Sequence, residues 1–587
     1  MGRLLVASLV CLLGLAACTS QTTLSRTQAR QPPPSSQSTT QTSPSSGLAP
    51  LEVAIRDSRD LGPILSAQPM SFDLTLADRD PNALQDALAS GSAMTSAEFA
   101  SRFGPDPARV AAALRALTAA GLTAHWTSGA VLLTVSGSAD AVERFLRISI
   151  HRFVTPDGTA FYSSLTAPAI PAQLAGMVIA VTGLDNYVRD LTSAVPAADV
   201  DGVTPADMTN FYDITPLRKA GLDGTGQTVV FLEWGVPPTS VLNAFAKKFT
   251  PTVPFNVEIH QDAADWGAPL VSGDKQYSDV AGEAALDLEI VHGIAPGAHE
   301  VVYEFSNGAA IPDVIKAIAA ASPHVILSSS ISEHECEHER GAAADGAAEN
   351  QVDVAAAAQG MSIFWASGDR GAYMCLNNFP NQDANGNTEI SVMPDASSVG
   401  VTAVGGTTAF LAEDGGYFQE SAWGEPVEQW GSGGGMSTQL SRPTWQVAPG
   451  ITASMTGRGV PDVAANADIL SGWDIIGPGQ TAGQTEEGPV GGTSAAAPFW
   501  AAVAALIDEN LSQKSLPPVG FANPALYLFA QSPPGLPAPA FHDITLGSNL
   551  HFAAGPGWDM ATGLGTPDVG ALTNDFEWYE KTHGASG

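Results

Sequence analysis

Ser494 stands where a turn of small residues, Gly492-Thr493-Ser494-Ala495, runs into the apolar stretch 499–507, which reads as a buried helix. A serine at a strand-to-helix junction exposes its hydroxyl beside the unpaired N–H groups of the helix N-terminus. A nucleophile and its oxyanion stabiliser need that arrangement. An ordinary N-cap serine in front of a core helix has the same local sequence. Glu283 and Asp287 lie four residues apart in a run of good helix formers, which puts both carboxyls on one face and in reach of each other. Asp369, in Ala366-Ser367-Gly368-Asp369, follows the apolar strand-like run 361–365. Ligands of an α/β sheet bind just past the carboxyl ends of its strands.

These groups suit acid chemistry. A carboxylate with a reference pKa of about 4.3 is a weak base at neutral pH. Two carboxyls in contact cannot both ionise cheaply, so Glu283 and Asp287 are expected to titrate as a coupled pair. Asp369 can donate to an oxyanion only when protonated. A histidine base is the competing expectation, since the chain has 11 histidines. His292, beyond Asp287, reads as a helix-end residue, and His542 as a neighbour of the C-terminal loops.

These motifs, in this order, resemble the sedolisin family of serine-carboxyl peptidases, kumamolisin-like, with a pro-kumamolisin-type propeptide. The stretches 402–407 (Thr-Ala-Val-Gly-Gly-Thr), 432–437 (Ser-Gly-Gly-Gly-Met-Ser) and 459–464 (Gly-Val-Pro-Asp-Val-Ala) carry the same resemblance. It implies an α/β, subtilisin-like parallel sheet flanked by helices, preceded by a smaller α+β propeptide domain. It also implies Ser494 as nucleophile, Glu283 as general base, Asp287 as its orienting partner and Asp369 as oxyanion donor. Substrates would be proteins or peptides, with the propeptide as intramolecular inhibitor and the enzyme a monomer. Endopeptidase action is expected; a tripeptidyl peptidase, or a catalytically silent surface-binding lipoprotein, are the alternatives.

Toward the C-terminus, Asp543 and Asp559 are presented from glycine-rich loops with free carbonyls beside them, a hard all-oxygen donor set. Taken alone, the two stretches also fit turns with self-capping aspartates. The resemblance implies one calcium ion, held by Asp543, the carbonyls of Ile544, Gly555 and Gly557, and Asp559. One departure from the family lies at Ser328-Ser329-Ser330-Ile331-Ser332, where an aromatic residue and a glycine are usual; this puts subsite preference in question. The run 333–339 then carries His334 and His338 four apart, a spacing zinc can use. It reads as a solvated charged loop around a structural cysteine.

The elements that must position these groups fall into an ordered series. Residues 1–18 read as a signal peptide whose Leu15-Ala16-Ala17-Cys18 end resembles a lipobox, so Cys18 is a candidate for lipidation; a plain secretory signal is the alternative. Its apolar core is too short to span a bilayer comfortably. Residues 19–48, rich in Ser, Thr, Gln and Pro, read as a disordered tether. Residues 49–190 form the propeptide domain, with helices expected at 83–89, 95–103, 107–120 and 139–146 and strands at 130–135 and 148–153. Residues 191–203 are the exposed activation linker, and 204–587 the catalytic domain with its C-terminal calcium site. A net charge of −35, from 25 basic and 60 acidic residues, excludes nucleic acid and anionic membrane surfaces as partners. The expected location is secreted or extracytoplasmic, with membrane contact only through a lipid on Cys18. Cys336 and Cys375 either form a disulfide or remain buried thiols.

Overall fold

The computed structural model describes residues 51–587 except 157, 188–194, 197–201, 262–276, 306–309, 333, 335, 339–340, 376–388, 427–428, 480–482 and 584–587. The expected signal and tether, and most of the linker, lie outside the described residues, as do Glu333, Glu335 and Glu339.

One mixed sheet holds the catalytic part together. Its strands are β1 (Thr228–Glu233), β2 (Val257–His260), β3 (His299–Glu304), β4 (Ile326–Ser329), β5 (Ser362–Ala366), β6 (Thr402–Leu411) and β7 (Tyr417–Ala422). They lie in the order β2-β3-β1-β4-β5-β6-β7, and β8 (Val463–Asn466) also joins β6. Every pairing is parallel except β6 with β7. The central strands β4 and β5 are buried at every position, the pattern of a parallel sheet covered on both faces.

Three helices matter for the site: α1 (Tyr277–Ile294), α2 (Ala342–Ala358) and α3 (Thr493–Gln513). Both α1 and α3 are buried over most of their length and pack on each other, and both are rich in buried alanine (Ala281, Ala284 and Ala285 in α1, Ala495 to Ala497 in α3). Alanine is the best helix former and lets helix axes approach closely. Gly492 starts α3 at φ 108°, a backbone open to glycine and strained for other residues. In chain order the sheet grows from β1 to one side through β2 and β3, then resumes on the other side with β4. The carboxyl ends of β1 and β4 therefore flank the point where strand order reverses, the position at which open α/β sheets bind ligands.

The propeptide is the expected α+β unit. Pro69–Leu76 pairs antiparallel with Leu132–Ser138 and Val178–Thr182, and Ile150–Val154 with Arg59–Pro63 and Ala160–Ser164. Its helices are Pro81–Ala89, Ser96–Arg102, Pro107–Ala119 and Ala139–Leu146. Each starts at a side-chain cap: Asp80, Thr95 (with Glu98, a capping box), Asp106 and Ser138. The two strands begin two residues later than expected because pairing with neighbours, not local apolar content, sets their ends. Phe72, Leu74, Val110, Leu117, Leu133 and Val142 build a core of their own. Leu84, Leu88, Met94, Phe99 and Phe103 instead merge with the catalytic core. At this junction Met94 N–H donates to Ala358 O at 2.9 Å and Gln351 donates to Asp78. Burial raises Asp78 to about 6, against the pull of the Gln351 hydrogen bond, so the folded chain favours its protonated form.

Buried carboxyls elsewhere behave alike. Burial pushes Asp353 up to about 8 and Glu420 and Asp508 to about 7. An unfolded chain ionises these groups near pH 4, so between about 4 and 8 the folded state holds more protons. Stability is therefore complete in acid and falls as pH rises through that window. In thermal melts of a Ser494→Ala chain, which stays intact, the midpoint should drop by several degrees from about pH 4.5 to about pH 8, each kcal/mol being worth roughly 2–4 °C. Asp353→Asn should flatten the upper part of that fall.

Candidate active site

Ser494 is the second residue of α3, behind Gly492 as N-cap, so it is not itself the cap. The sequence suggests an exposed hydroxyl. In the full chain Ser494 is completely buried, because α3 enters the interior among β1, β4, β5 and β6. Its Oγ has no hydrogen-bond partner among the described residues. Pro498 lacks the N–H that would normally bond the carbonyl four residues back. That carbonyl belongs to Ser494, and Ser330 Oγ approaches it at 3.3 Å.

Glu283 and Asp287 occupy α1, both fully buried. Ser330, one residue beyond β4, places its Oγ 2.9 Å from each carboxyl oxygen of Asp287. One hydroxyl thus links the Asp287 carboxyl to the backbone of Ser494. Glu233, the last residue of β1, lies close enough to Asp287 for the two carboxyls to repel. Burial, reinforced by mutual repulsion with Glu283, holds Asp287 well above the usual carboxylate range. Burial and the charges of Asp287 and Glu283 do the same for Glu233. The expected carboxyl pair is thus part of a triplet. Glu233 and Ser330 escape sequence reading because each reaches the site from the end of a different strand.

Asp369 follows β5 on the turn 367–369 and is 1% exposed. Its Oδ1 accepts from Thr493 N–H at 2.7 Å and from Thr493 Oγ1 at 2.8 Å, while Gly368 N–H donates to that same Oγ1 at 3.0 Å. Its Oδ2 is buried with no partner among the described residues. Burial raises the group to about 6, against the pull of the two Thr493 donors and of Arg370. With Oδ1 committed as an acceptor, the acidic proton belongs on Oδ2. Below about pH 6 this carboxyl is a hydrogen-bond donor standing beside the residue that precedes Ser494.

The histidines are employed elsewhere. His292 stacks on Phe255 at 3.8 Å, contacts the Val253 carbonyl at 3.1 Å and pairs with Glu300 at 3.5 Å. Its partners come from neighbouring segments, not from the last carbonyls of its helix. His542 stacks on Tyr417 at 3.8 Å. His334 is buried against Asp345, whereas His338 meets Glu389, so the two do not converge on a metal. Cys336 and Cys375 form a disulfide that ties the loop after β4 to the loop after β5.

The C-terminal loops hold the proposed oxygen ligands together. Gly557 N–H donates to both oxygens of Asp543 at 3.1 Å, and Gly555 N–H to Asp559 Oδ2 at 2.8 Å. Asp559 Oδ1 accepts from Ala561 and Thr562 N–H at 2.8 and 2.9 Å. Among the described residues the carbonyls of Ile544, Gly555 and Gly557 accept no backbone hydrogen bond within these loops. Two carboxylates and three uncommitted carbonyls fit a hard divalent cation.

Two family models match: Pro-kumamolisin, activation domain, over residues 56–187, and the subtilase family over residues 277–519. Kumamolisin of Bacillus sp. (strain MN-32) is 33% identical over 475 residues, covering 76% of this chain and 78% of that protein. Sedolisin of Pseudomonas sp. (strain 101) is 29% identical over 509 residues, covering 81% and 80%. Among solved structures, Pseudomonas sedolisin complexed with two molecules of pseudo-iodotyrostatin superposes with a TM-score of 0.55 at 26% identity, covering 66% of this chain and 100% of that one. An activation domain, a subtilisin-like sheet and a serine set among buried carboxyls agree with these likenesses, and the chain belongs to the sedolisin family of serine-carboxyl peptidases, made as a zymogen.

Proposed function

We propose that the chain is a secreted, acid-acting endopeptidase that activates itself by cutting its own linker. The observation that carries this reading is the pair of buried, unpartnered atoms Ser494 Oγ and Asp369 Oδ2. An unsatisfied buried polar group calls for an explanation, and a catalytic role is one; here the two atoms lie on adjacent strand and helix ends, joined through Thr493. Ser494 Oγ attacks the scissile carbonyl carbon and Glu283 takes its proton. Asp369 donates from Oδ2 to the oxygen that becomes negative, and Glu283 then returns the proton to the leaving amine. Water repeats the sequence on the acyl-enzyme. Asp287, Glu233 and Ser330 hold the shared proton near Glu283 and keep its orientation.

The strand Val195–Pro196 supports self-activation. It pairs antiparallel with Thr485–Gly491, the strand that leads directly into Ser494. A linker held there lies within a few residues of the nucleophile. The signal at 1–18, lipidation at Cys18, the domain limits at 190 and 203 and the monomeric state belong to the same reading. Cleavage near residue 200 would part the catalytic domain from any lipid. One calcium, held by Asp543, Ile544, Gly555, Gly557 and Asp559, would pin the loops that carry the Ala561 carbonyl, to which Ser432 donates at 2.7 Å.

Acidifying the precursor should shorten the wild-type chain and release casein-digesting activity, while Ser494→Ala stays full length and inactive. Digestion by the alanine chain would refute the nucleophile, and a processed wild-type chain that binds peptides without cutting them would favour the silent lipoprotein. Internal cleavage of casein, as opposed to stepwise removal of tripeptides, distinguishes endopeptidase action. Asp369→Ala should lower kcat by roughly 10²–10³, the worth of one oxyanion donor. Activity should fall as pH rises through about 6, where Asp369 ionises. Asp369→Asn places an amide N–H at Oδ2 at every pH and should flatten that limb. Chelation should lower the melting midpoint of the Ser494→Ala chain and added calcium restore it, whereas Asp559→Asn should blunt the response.

A further inference from the structure

Arg370 follows Asp369 directly. Its guanidinium lies over the indole of Trp430, 3.8 Å from the ring centroid. Cations are scarce here, 25 against 60 acidic residues. Several others are engaged: Arg458 with Asp462, Lys248 with Asp474 and Glu487, and Lys514 with Glu577. Arg370 makes neither an ion pair nor a side-chain hydrogen bond among the described residues, so its five N–H donors remain available.

Its position is fixed from both sides. Gly431 N–H donates to Asp369 O at 2.9 Å and Gly371 N–H to Gly431 O at 2.8 Å, clamping the backbone around Arg370 to the strand Trp430–Gly431. The titratable groups on the surrounding elements are Asp369 itself, Glu425 opposite Trp430, and the hydrogen-bonded pair Tyr373 and His551. Glu425 accepts from Trp423 Nε1 at 3.1 Å.

The geometry points to the Arg370–Trp430 pair as a subsite for a carboxylate of the substrate, so that the enzyme favours an acidic residue near the bond it cuts. This rests on the reading of Ser494 and Asp369 as the reacting centre. The indole covers one face of the guanidinium and holds it in place, while its N–H edge stays in the plane a carboxylate approaches. Little side-chain freedom is then lost on binding, and two parallel charge-assisted bonds can form. Because Arg370 neighbours the oxyanion donor, a carboxylate that reaches it belongs to a residue within two or three positions of the scissile bond, at roughly 3.3–3.6 Å of extended chain per residue.

The ligand's ionisation gives a signature. Arginine stays charged throughout, but a substrate carboxylate ionises near pH 4. Preference for glutamate over glutamine should therefore be present at about pH 5.5 and vanish toward about pH 3. The test uses mature enzyme from the acid-processed precursor, as wild type, Arg370→Gln and Arg370→Lys. Substrates are end-blocked peptides with glutamate or glutamine at each of three positions on either side of the cleaved bond. A second pair differs only in a free or amidated C-terminus, which separates a side-chain carboxylate from a terminal one. Wild type should show a ratio of roughly tenfold or more at one position, the worth of a charge-assisted hydrogen bond. Arg370→Gln should bring the ratio to about one, and Arg370→Lys, which keeps the charge and guards against misfolding of the first variant, should retain part of it. A flat ratio in the wild type, or one that survives in Arg370→Gln, overturns the subsite. Either result leaves Ser494-dependent cleavage standing; cleavage by Ser494→Ala would instead remove the reading beneath it.

Discussion

Glu233, Glu283, Asp287 and Asp369 are carboxyls that folding has withdrawn from water, and the rest of the site follows from the cost of that withdrawal. An ionised carboxylate in an apolar interior loses a hydration energy that only a cation, several donors or a proton can replace. Burial outweighs the pull of Arg370 and the Thr493 donors on Asp369, and burial with mutual repulsion raises Glu233 and Asp287, so protons do much of the work. Burial and repulsion hold Asp287 and Glu233 protonated well above the usual carboxylate range, and Asp369 retains its proton up to about pH 6. Asp353, Glu420 and Asp508 extend the same preference into the scaffold. On the proposed reading, stability and chemistry are thus tuned to one solvent condition by one physical term.

The scaffold delivers these groups to one place through backbone geometry. The reversal of strand order between β1 and β4 opens a crevice at their carboxyl ends, and Glu233 and Ser330 are the residues found there. Helix α1 adds Glu283 and Asp287, and α3 presents Ser494 at its amino end. Pro498 leaves the Ser494 carbonyl free of its usual helical donor, which lets Ser330 approach it. The Cys336–Cys375 disulfide joins the loops that carry Ser330 and Asp369, so two strand ends brought together only by folding are covalently coupled. The propeptide is part of the same core through Leu84, Leu88 and Phe99, not a loosely attached lid.

Much of this was legible in the chain itself. Ser494 stood out because glycine, threonine and serine meet an apolar run, and Glu283 with Asp287 because four residues make one helical turn. Capped helices of the propeptide were readable because Asp80, Thr95, Asp106 and Ser138 sit directly before them. All of these are relations within a few residues, where helix periodicity and capping operate.

What folding alone decided is the set of relations between distant strand ends. Glu233 in β1 and Ser330 after β4 lie in ordinary strand sequences, and nothing local marks them as partners of Asp287. Arg370 and Trp430 are separated by β6 and β7, and their stacking exists only because two loops are clamped by backbone hydrogen bonds. Residue type alone could exclude neither His292 as a base nor His334 as a zinc ligand; their commitment to Glu300 and Asp345 arises from packing. The amino-acid sequence determined the chemistry on offer, since residue type and short spacing set reactivity and helix faces. Tertiary structure decided protonation and partnership, because both depend on which distant groups exclude water from each carboxyl.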